Sequence, residues 1–301
     1  MGKDPSLSSL RTYVRLVERG SLSAAARDMG TTQPTVSRQL QELESAYGAA
    51  LIVRTTRSLR MTPAGTLVYE QARLILQADE SLRERLATDS THVSGRIQVA
   101  APSGFGAFVV TPFCGDFVKR HPDATIDVRL TDRQVDLVGD GTDVAIRIGR
   151  LADSSLFAQP LGRLDEVVVA HPALLDRAVR RPADLERLLW ILFSGLKAGA
   201  DLRLARGTRA HKLSVAARMS TDQIVAHREA LLAGAGVGVI HLYAVQADID
   251  AGRLSRLLPE WTLPAWPMHA LFPVRTPPNR VRVWCSELKA ALASVPGVCA
   301  R

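Results

Sequence analysis

The sequence predicts an α/β protein in which short N-terminal helices precede one long helix and then alternating strands and helices. Apolar residues recur at helical spacing over the first 62 residues, and a single helical pattern then extends to about residue 90. From about Gly95, short segments alternate between apolar and polar residues in the manner of strands. Because 301 residues is about twice the common domain size, we expect two or three compact units.

Composition and charge narrow the class of protein. The chain is 47% hydrophobic, which excludes disorder as its main state, and its net charge is +8. Residues 1–65 hold nine Lys or Arg against five Asp or Glu, so positive charge is densest there and favours a polyanionic partner. No segment has the length and apolar character of an export signal or a membrane span, so we expect a cytoplasmic protein with no membrane partner.

Cysteines are few and unclustered, at positions 114, 285 and 299. This spacing indicates neither a disulfide framework nor a zinc site, and we expect no metal and no cofactor. Cys114 lies between Phe113 and Phe117 on an apolar helix. We therefore favour a buried, inert thiol over a redox sensor.

The first 30 residues predict two short helices. Leu10, Val14 and Val17 repeat at helical spacing, and Gly20 is placed to end that helix in a left-handed conformation. Ser21 then stands where a helix N-cap is favoured. Gly30 closes the second helix.

A third helix is predicted to begin after Thr32, whose hydroxyl can cap it, and Pro34 is tolerated in its first turn. Val36, Leu40 and Leu43 share one face of this helix and are predicted to be buried. The segment Leu59 to Pro63 follows as a strand-like wing. Two helices joined by a tight turn, with a basic wing behind them, are typical of an all-α winged helix-turn-helix that presents its second helix to a DNA major groove.

The outward face of the third helix carries groups that accept or donate hydrogen bonds to base edges and phosphates. A solvated helix face is the alternative, but the caps, the turn and the basic wing together favour binding of double-stranded DNA. The predicted DNA-binding residues are Thr32, Gln33, Pro34, Thr35, Ser37, Arg38 and Gln41 on the helix, and Arg54, Thr56 and Arg57 on the wing.

The long helical pattern over residues 66–91 has a continuous apolar stripe, formed by Val68, Ala72, Ile75, Leu82 and Leu86. A helix with so much apolar surface needs a partner. It is either a core helix of the N-terminal domain or a dimerisation helix, and we favour the second.

The remaining chain reads as an α/β layer with parallel strands. The predicted strands are 96–101, 126–130, 144–148, 167–170 and 237–240, with helical segments between them. In such sheets ligands bind beyond the carboxyl ends of the strands. Ser103 and Gly104 follow the first strand, Thr131 ends the second and Arg147 lies in the third.

The sequence resembles the LysR-type transcriptional regulators along nearly its whole length. The resemblance rests on Ser21–Ala26, Gln33–Leu40, Leu43-Glu44, Arg54–Arg57, Thr62–Gly65, Asp143–Gly149 and Ala233–Val239. It implies a DNA-binding domain over 1–65, a linker helix over 66–91 and an effector-binding domain over 92–301. That last domain is expected to resemble periplasmic binding proteins, with lobe I at about 95–163 and 268–301 and lobe II at about 164–267.

The resemblance also implies homo-oligomers, dimers joined along the linker helix and commonly tetramers, with promoter DNA, a small-molecule effector and RNA polymerase as partners. It places further cleft residues in lobe II, and the expected effector is a small carboxylate or aromatic acid. The complete set of predicted effector contacts is Ser103, Gly104, Thr131, Arg147, Ser194, Thr221 and His241.

Each contact also has a structural interpretation. Ser103 serves as a helix N-cap, Arg147 pairs with Asp127 or Asp143, and Thr221 caps the helix that begins near Gln223. For any one residue we favour structure over ligand contact, whereas the set as a whole favours a cleft.

Rival functions are an architectural, nucleoid-type DNA-binding protein whose C-terminal lobes only oligomerise, and a solute carrier or enzyme. Catalytic carboxylate pairs, metal-binding His spacing, the Gly-x-Ser-x-Gly motif and phosphate loops are all missing from the sequence, so we expect no enzyme.

Overall fold

The computed structural model describes residues 4–54, 59–86, 92–133, 136–151, 156–175, 178–194 and 201–299. These residues form two compact units. The first comprises Met1–His92, Asp136–Asp143 and Phe272–Val281, and the second comprises Val93–Val135, Val144–Leu271 and Arg282–Arg301.

The first unit begins with helices and a small wing. Its elements are α1 (Leu7–Arg19), α2 (Leu22–Asp28), α3 (Gln33–Tyr47), β1 (Ile52–Arg54), β2 (Leu59–Met61) and α4 (Pro63–Leu86). The two strands pair antiparallel, with Val53 opposite Arg60. The predicted wing strand is therefore confirmed as β2, but the N-terminal domain is not all-α, because Ile52–Arg54 supplies a second strand that is too short to show an alternating pattern.

The predicted helix ends are confirmed. Gly20 follows α1 with a φ of 70°, and the Ser21 hydroxyl accepts a hydrogen bond from the Ala24 amide at the start of α2. The Thr32 hydroxyl accepts from the Thr35 amide and caps α3. These caps fix where each short helix begins and ends, and therefore the tight turn between α2 and α3.

One apolar core holds the winged domain together. It includes Tyr13 and Leu16 of α1, Ala25 of α2, and Leu51 ahead of the wing. The predicted inward face of α3 is confirmed, since Val36, Leu40 and Leu43 are at most 2% exposed.

The apolar residues of helix α4 are partly buried and partly exposed. Tyr69 and Ala72 are buried in the core of the winged domain, with Val68 and Leu76 packed beside them. Leu67, Ile75 and Leu82 are 59%, 45% and 54% exposed. The predicted stripe is therefore divided into buried and exposed residues: periodicity counts apolar positions but does not show which partner each one meets.

Polar contacts attach α4 to Asp136–Asp143 of the same unit. The Arg73 guanidinium donates to the Gly141 carbonyl and, at 3.3 Å, to the Val138 carbonyl. Gln77 Nε2 donates to Asp143 Oδ1 at 2.9 Å. All three charged or amide side chains are buried, so these bonds fix the orientation of α4 against this segment.

Two large sheets dominate the second unit, and we call them, with the helices packed on them, lobe I and lobe II. Lobe I has the strand order β15-β6-β14-β5-β3-β4. Its elements are β3 (Gly95–Ala101), α5 (Ser103–Phe105), a π-helical turn (Gly106–Val110), α6 (Thr111–Arg120), β4 (Ala124–Leu130), β5 (Val144–Ile148), β6 (Phe157–Leu164), β14 (Trp266–Phe272), α9 (Asn279–Ala291) and β15 (Val298–Cys299).

Lobe II has the strand order β11-β8-β12-β7-β13, with the hairpin β9-β10 beside it. Its elements are β7 (Glu166–Ala170), β8 (Trp190–Phe193), β9 (Asp201–Arg206), β10 (Arg209–Ser214), β11 (Ala217–Thr221), α7 (Ile224–Leu232), β12 (Val237–His241), α8 (Leu242–Asp250) and β13 (Ser255–Leu257). The chain passes from lobe I to lobe II between β6 and β7 and returns between β13 and β14.

The sheets are mixed rather than wholly parallel. Strand β3 runs parallel to β4 and β5, as predicted. Strands β7 and β14 run antiparallel to β12 and β5. These are the two strands that enter a sheet from the other lobe, so they lack the crossover helix that makes sequential strands parallel.

Gly65 permits the close passage of α4 over the chain at Leu51. A Cβ at position 65 would lie 2.0 Å from the Leu51 carbonyl oxygen and 2.7 Å from the Tyr13 hydroxyl. We expect Gly65→Ala to destabilise the winged domain by about 1–3 kcal/mol, because backbone atoms cannot move aside cheaply. Thermal unfolding followed by far-UV circular dichroism measures this change.

The matched control is Gly115→Ala in α6, where an added Cβ meets nothing within 4 Å. That substitution should stabilise the protein by about 0.5–1 kcal/mol. Equal effects of the two substitutions would contradict the close approach at Gly65.

Candidate DNA-binding and effector sites

The outer face of α3 carries polar groups that are exposed. Thr32, Gln33 and Pro34 are exposed at the start of the helix, and Arg38 and Gln41 are exposed one and two turns later. The Arg38 side chain is 71% accessible and lies 3.8 Å from Glu42, a weak ion pair. The predicted Thr35 and Ser37 are half-buried beside this face.

Side chains that the sequence analysis did not select hold α3 in place. Gln39 accepts a hydrogen bond from the Thr12 hydroxyl and donates to Ser8 Oγ at 3.2 Å, which ties α3 to α1. Glu44 Oε1 accepts from the Leu51 amide at 2.8 Å and from the Ile52 amide at 3.3 Å. These bonds orient the outer face without using any of its groups.

The wing is described only in part. Thr56 and Arg57 lie outside the described residues, as does the side chain of Arg54, so their predicted contacts stay predictions. Arg60 on β2 is exposed.

In lobe I, the predicted residues meet where β3, β4 and β5 end. The Ser103 amide donates to Asp132 Oδ1 at 3.0 Å. Thr131 Oγ1 accepts from the Arg133 amide at 3.2 Å, and Arg147 Nη2 donates to the Arg133 carbonyl at 2.9 Å. Burial lowers the pKa of Arg147, while nearby Asp132 opposes that shift.

The structural interpretations of these residues need correction. Helix α5 begins at Ser103 itself, so the N-cap position belongs to Pro102. Asp127 pairs with Arg96, and Asp143 with Arg73 and Gln77, instead of with Arg147.

In lobe II, Ser194 and Thr221 lie side by side at the ends of β8 and β11. Ser194 Oγ donates to the Thr221 carbonyl at 3.0 Å, and Thr221 Oγ1 donates to the Gln223 carbonyl at 3.4 Å. Thr221 therefore does not cap α7, whose N-cap position is occupied by Gln223. Both hydroxyls still have acceptor capacity.

His241 ends β12 and is buried opposite Glu166, the first residue of β7. His241 Nδ1 lies 3.9 Å from Glu166 Oε1, and neither atom has a hydrogen-bond partner in the described structure. Trp266, the first residue of β14, is near Glu166, but its indole Nε1 also lacks a partner of normal geometry. All three residues stand where the chain passes between the lobes.

Tyr243 of lobe II lies between His241 and the lobe I residue Phe105. Its ring stacks on His241 at 5.5 Å between centroids and meets Phe105 of lobe I edge-on at 5.3 Å. Beside it, Gly104 allows α5 to approach lobe II, since a Cβ there would lie 2.6 Å from Ile224 Cβ. Gly104, a predicted effector contact, thus closely approaches a protein side chain.

Burial shifts the pKa values of Glu166, His241 and Tyr243. It raises the pKa of Glu166 to about 7, an effect that Trp266 partly offsets, and lowers that of His241 to about 4. The pKa of Tyr243 is raised by burial and by the carboxyl groups of Asp132 and Glu166. His241 and Tyr243 are therefore uncharged at neutral pH, and Glu166 titrates there.

Sequence analysis did not select Glu166, Tyr243 or Trp266. Glu166 carried the clearest signal, because an acid that opens the buried strand segment Val167–Ala170 is out of place without a partner. The other two are aromatic residues whose roles depend on contacts across the lobes.

Other reactive groups are inert or dispersed. Burial raises the pKa of Cys114 to about 11, which fits the inert thiol expected there, and raises that of Cys285 to about 12. Among the described residues there is no cluster of three or more His, Cys, Asp or Glu able to hold a metal ion. None of the described helices has both the length and the apolar character needed to cross a membrane.

A cavity of about 360 Å³ opens on lobe II, away from the polar residues described above. Its lining includes Arg180, Arg206, Glu260 and Trp261, and Arg206 already pairs with Glu260 at 2.6 Å. None of the predicted effector contacts lies in it.

A winged helix-turn-helix followed by a two-lobed α/β domain defines the class of DNA-binding regulators that carry a sensing domain. Residues 7–66 match the model of the bacterial regulatory helix-turn-helix proteins of the lysR family, and residues 90–293 match the LysR substrate binding domain. The chain belongs to the LysR family of transcriptional regulators and is not an enzyme.

Relatives and solved structures agree with this assignment. The HTH-type transcriptional regulator PtxR of Pseudomonas aeruginosa is 32% identical over 97% of this chain and 94% of its own length. The probable regulator LtrA of Klebsiella pneumoniae is 30% identical over 85% of this chain and 83% of its own. CrgA, a LysR-type regulator from Neisseria meningitidis, shares the fold with a TM-score of 0.60, 24% identity and coverage of 96% and 99% of the two chains.

The burial of the Glu166 carboxyl leads to a prediction about how the free energy of unfolding depends on pH. Because its folded pKa is raised from 4.5 to about 7, wild-type stability is lost as pH rises through this window. We expect Glu166→Gln to gain stability relative to wild type between pH 5 and pH 8, by up to about 3 kcal/mol. Denaturant unfolding followed by tryptophan fluorescence reports on the correct unit, since all four tryptophans lie there.

Glu229→Gln is the control, because this carboxyl is 62% exposed on the same lobe. Its stability difference from wild type should not change between the two pH values. A constant difference for Glu166→Gln as well would show that the Glu166 carboxyl is not desolvated.

Proposed function

We propose that this protein regulates transcription by binding a specific promoter sequence through the outer face of α3, and that a small molecule in the cleft between the lobes modulates this binding. The observation that carries the proposal is the division of α3 into a fully buried apolar face and an exposed polar face. A regulator that binds the chromosome acts in the cytoplasm, and we include that location in the proposal.

The exposed groups of α3 fit a major groove. Gln41 and Arg38 present an amide and a guanidinium one turn apart, and these are the groups that read adenine and guanine edges. The first turn offers the backbone amides and hydroxyl groups of a helix N-terminus, which suits a phosphate. Arg60 and the other cations of the wing would lie near the DNA phosphates. The domain therefore supports both positioning of the protein on the duplex and reading of its bases.

We expect Arg38→Ala to weaken binding to the specific operator by about 1–3 kcal/mol, because a bidentate contact with guanine would be lost. Electrophoretic mobility shift on a selected operator and on random DNA at one salt concentration measures the change. Lys289→Ala on α9 of lobe I is the control and should leave both affinities unchanged. An equal loss on both DNAs would make Arg38 a phosphate contact only.

Footprinting separates this proposal from an architectural role. A sequence-specific regulator should protect a defined site in the DNA next to its own gene, and the protection should change when an effector is added. Uniform coverage without a preferred site would favour a nucleoid-type protein instead.

The effector part of the proposal rests on polar residues at the strand ends of each lobe. Ser103, Thr131 and Arg147 lie at the strand ends of lobe I, and Ser194, Thr221 and His241 at those of lobe II. Ligands of open α/β sheets bind at such ends. Thermal shift of the full chain with a metabolite library tests this part, because a ligand stabilises the folded state by mass action.

We propose that the chain forms homodimers through the exposed face of α4, with tetramers as the higher assembly and RNA polymerase as a further partner. Leu67, Ile75 and Leu82 lie on one side of α4, at spacings of eight and seven residues. Exposed apolar residues that repeat at about two helical turns are typical of a helix that packs on another helix.

Ile75→Glu should shift the dimer–monomer equilibrium at least tenfold toward monomer, because a charge in a helix interface is desolvated without a partner. Size-exclusion chromatography with light scattering measures the mass. The control is Val225→Glu, since Val225 is 42% exposed in lobe II. A mass that is unchanged by Ile75→Glu would remove α4 from the interface.

A further inference from the structure

We propose that the polar end of the cleft between the lobes binds the ammonium group of a small amine, carried on a flat apolar body, rather than a carboxylate. The inference rests on the effector function proposed above and narrows its ligand class. It departs from the small carboxylate that the sequence led us to expect.

One group that would bind an anion is already paired with a carboxylate of the protein, and a second, the Arg147 guanidinium, lies beside that same carboxylate. The Ser103 amide, which a ligand carboxylate would need, donates to the Asp132 carboxylate at 3.0 Å. Arg147 donates to the Arg133 carbonyl and lies near the same Asp132. An anionic ligand here would have to displace a carboxylate of the protein itself and remain beside its charge.

At the junction between the lobes, by contrast, the unpartnered groups favour a cation over an anion. Glu166 Oε1 and His241 Nδ1 are both buried without a hydrogen-bond partner, and their side chains are only 6% and 5% exposed. Buried polar atoms without partners are rare and costly, so such a pair indicates a missing group. Because the imidazole is neutral at pH 7, its ring nitrogen can accept a hydrogen bond when the other nitrogen carries the proton.

The separation of the two atoms suits one nitrogen donor. Two acceptors 3.9 Å apart can each lie about 2.9 Å from a shared ammonium nitrogen, which has three hydrogens to donate. Trp266 Nε1 is the third unpartnered atom, and as a donor beside Glu166 it favours the ionised carboxylate.

The walls of this site are aromatic and its charges favour a cation. Tyr243, stacked on His241, and Phe105 supply ring faces and edges, and cations bind favourably over such faces. The titratable groups that face Glu166 are His241 on β12 and Tyr243 on α8, with Asp132 beside the Tyr243 hydroxyl. In the described part of the chain, Glu166 has no Lys or Arg partner.

Matched sets of small molecules test the proposal with the full-length chain. Each set shares one body and carries an amine, an alcohol or a carboxylate: tryptamine, tryptophol and indole-3-acetate; phenethylamine, phenethanol and phenylacetate; butylamine, butanol and butyrate. Isothermal titration calorimetry at pH 8 should show, in the set that binds best, that the amine binds at least tenfold more tightly than the matched alcohol and carboxylate.

Variants and pH connect this preference to Glu166. Glu166→Gln should lower the amine affinity at least tenfold and leave the alcohol unchanged, while Glu287→Gln in lobe I should alter neither. For wild type the amine affinity should fall about tenfold per pH unit between pH 7 and pH 5, because Glu166 must then lose a proton on binding. His241 and Tyr243 do not titrate in that range.

Two results would overturn the proposal. Tighter binding of the carboxylates, with a change in operator affinity, would leave effector regulation intact and refute the amine class. Absence of binding in all three sets would refute the amine site, and the effector function itself would fail only if a broad metabolite library also gave no thermal shift and no change in DNA binding.

Discussion

The burial of one side of α3 is the constraint on which the rest of the winged domain depends. Val36, Leu40 and Leu43 lose contact with water in the common core, and Gln39 adds hydrogen bonds to α1. Apolar burial sets the rotation of α3 about its axis, and the polar bonds set its register along α1. The outer face is then presented in one orientation. Its guanidinium, amide and hydroxyl groups therefore project from fixed positions on the helix.

Helix α4 connects the core of the winged domain to a later segment of the chain. One face completes the winged core through Tyr69 and Ala72, and the same helix is fixed to Asp136–Asp143 by Arg73 and Gln77. Leu67, Ile75 and Leu82 of the same helix are exposed within the described chain, which is the physical reason for proposing a second copy.

Local features of this fold were predictable from sequence, and distant pairings were not. The caps at Gly20, Ser21 and Thr32 follow from backbone geometry that a few neighbouring residues determine. By contrast, the division of the α4 stripe into buried and exposed residues was not predicted, and strand β1 was missed, because partner choice and very short strands leave no periodic signal. The antiparallel entry of β7 and β14 depends on the chain passing twice between lobes.

The same distinction applies to the candidate cleft. Strand ends indicated Ser103, Thr131 and Arg147, but the Ser103 amide pairs with Asp132, 29 residues away, which places a protein carboxylate where an anionic ligand was expected. Glu166 and His241 are 75 residues apart and meet only through the register of β7 and β12. Sequence could identify the acid as unusual, whereas its unpartnered state is a property of the folded junction.

The central claim is that the outer face of α3 enters the major groove, and photo-cross-linking tests it most directly. Benzoylphenylalanine incorporated in place of Gln41 should cross-link to bases of the bound operator at one defined position in each half-site. The same group in place of Val225, exposed in lobe II, should give no base cross-link. Cross-links from position 41 that are absent, or that scatter equally over unrelated DNA, would contradict the account.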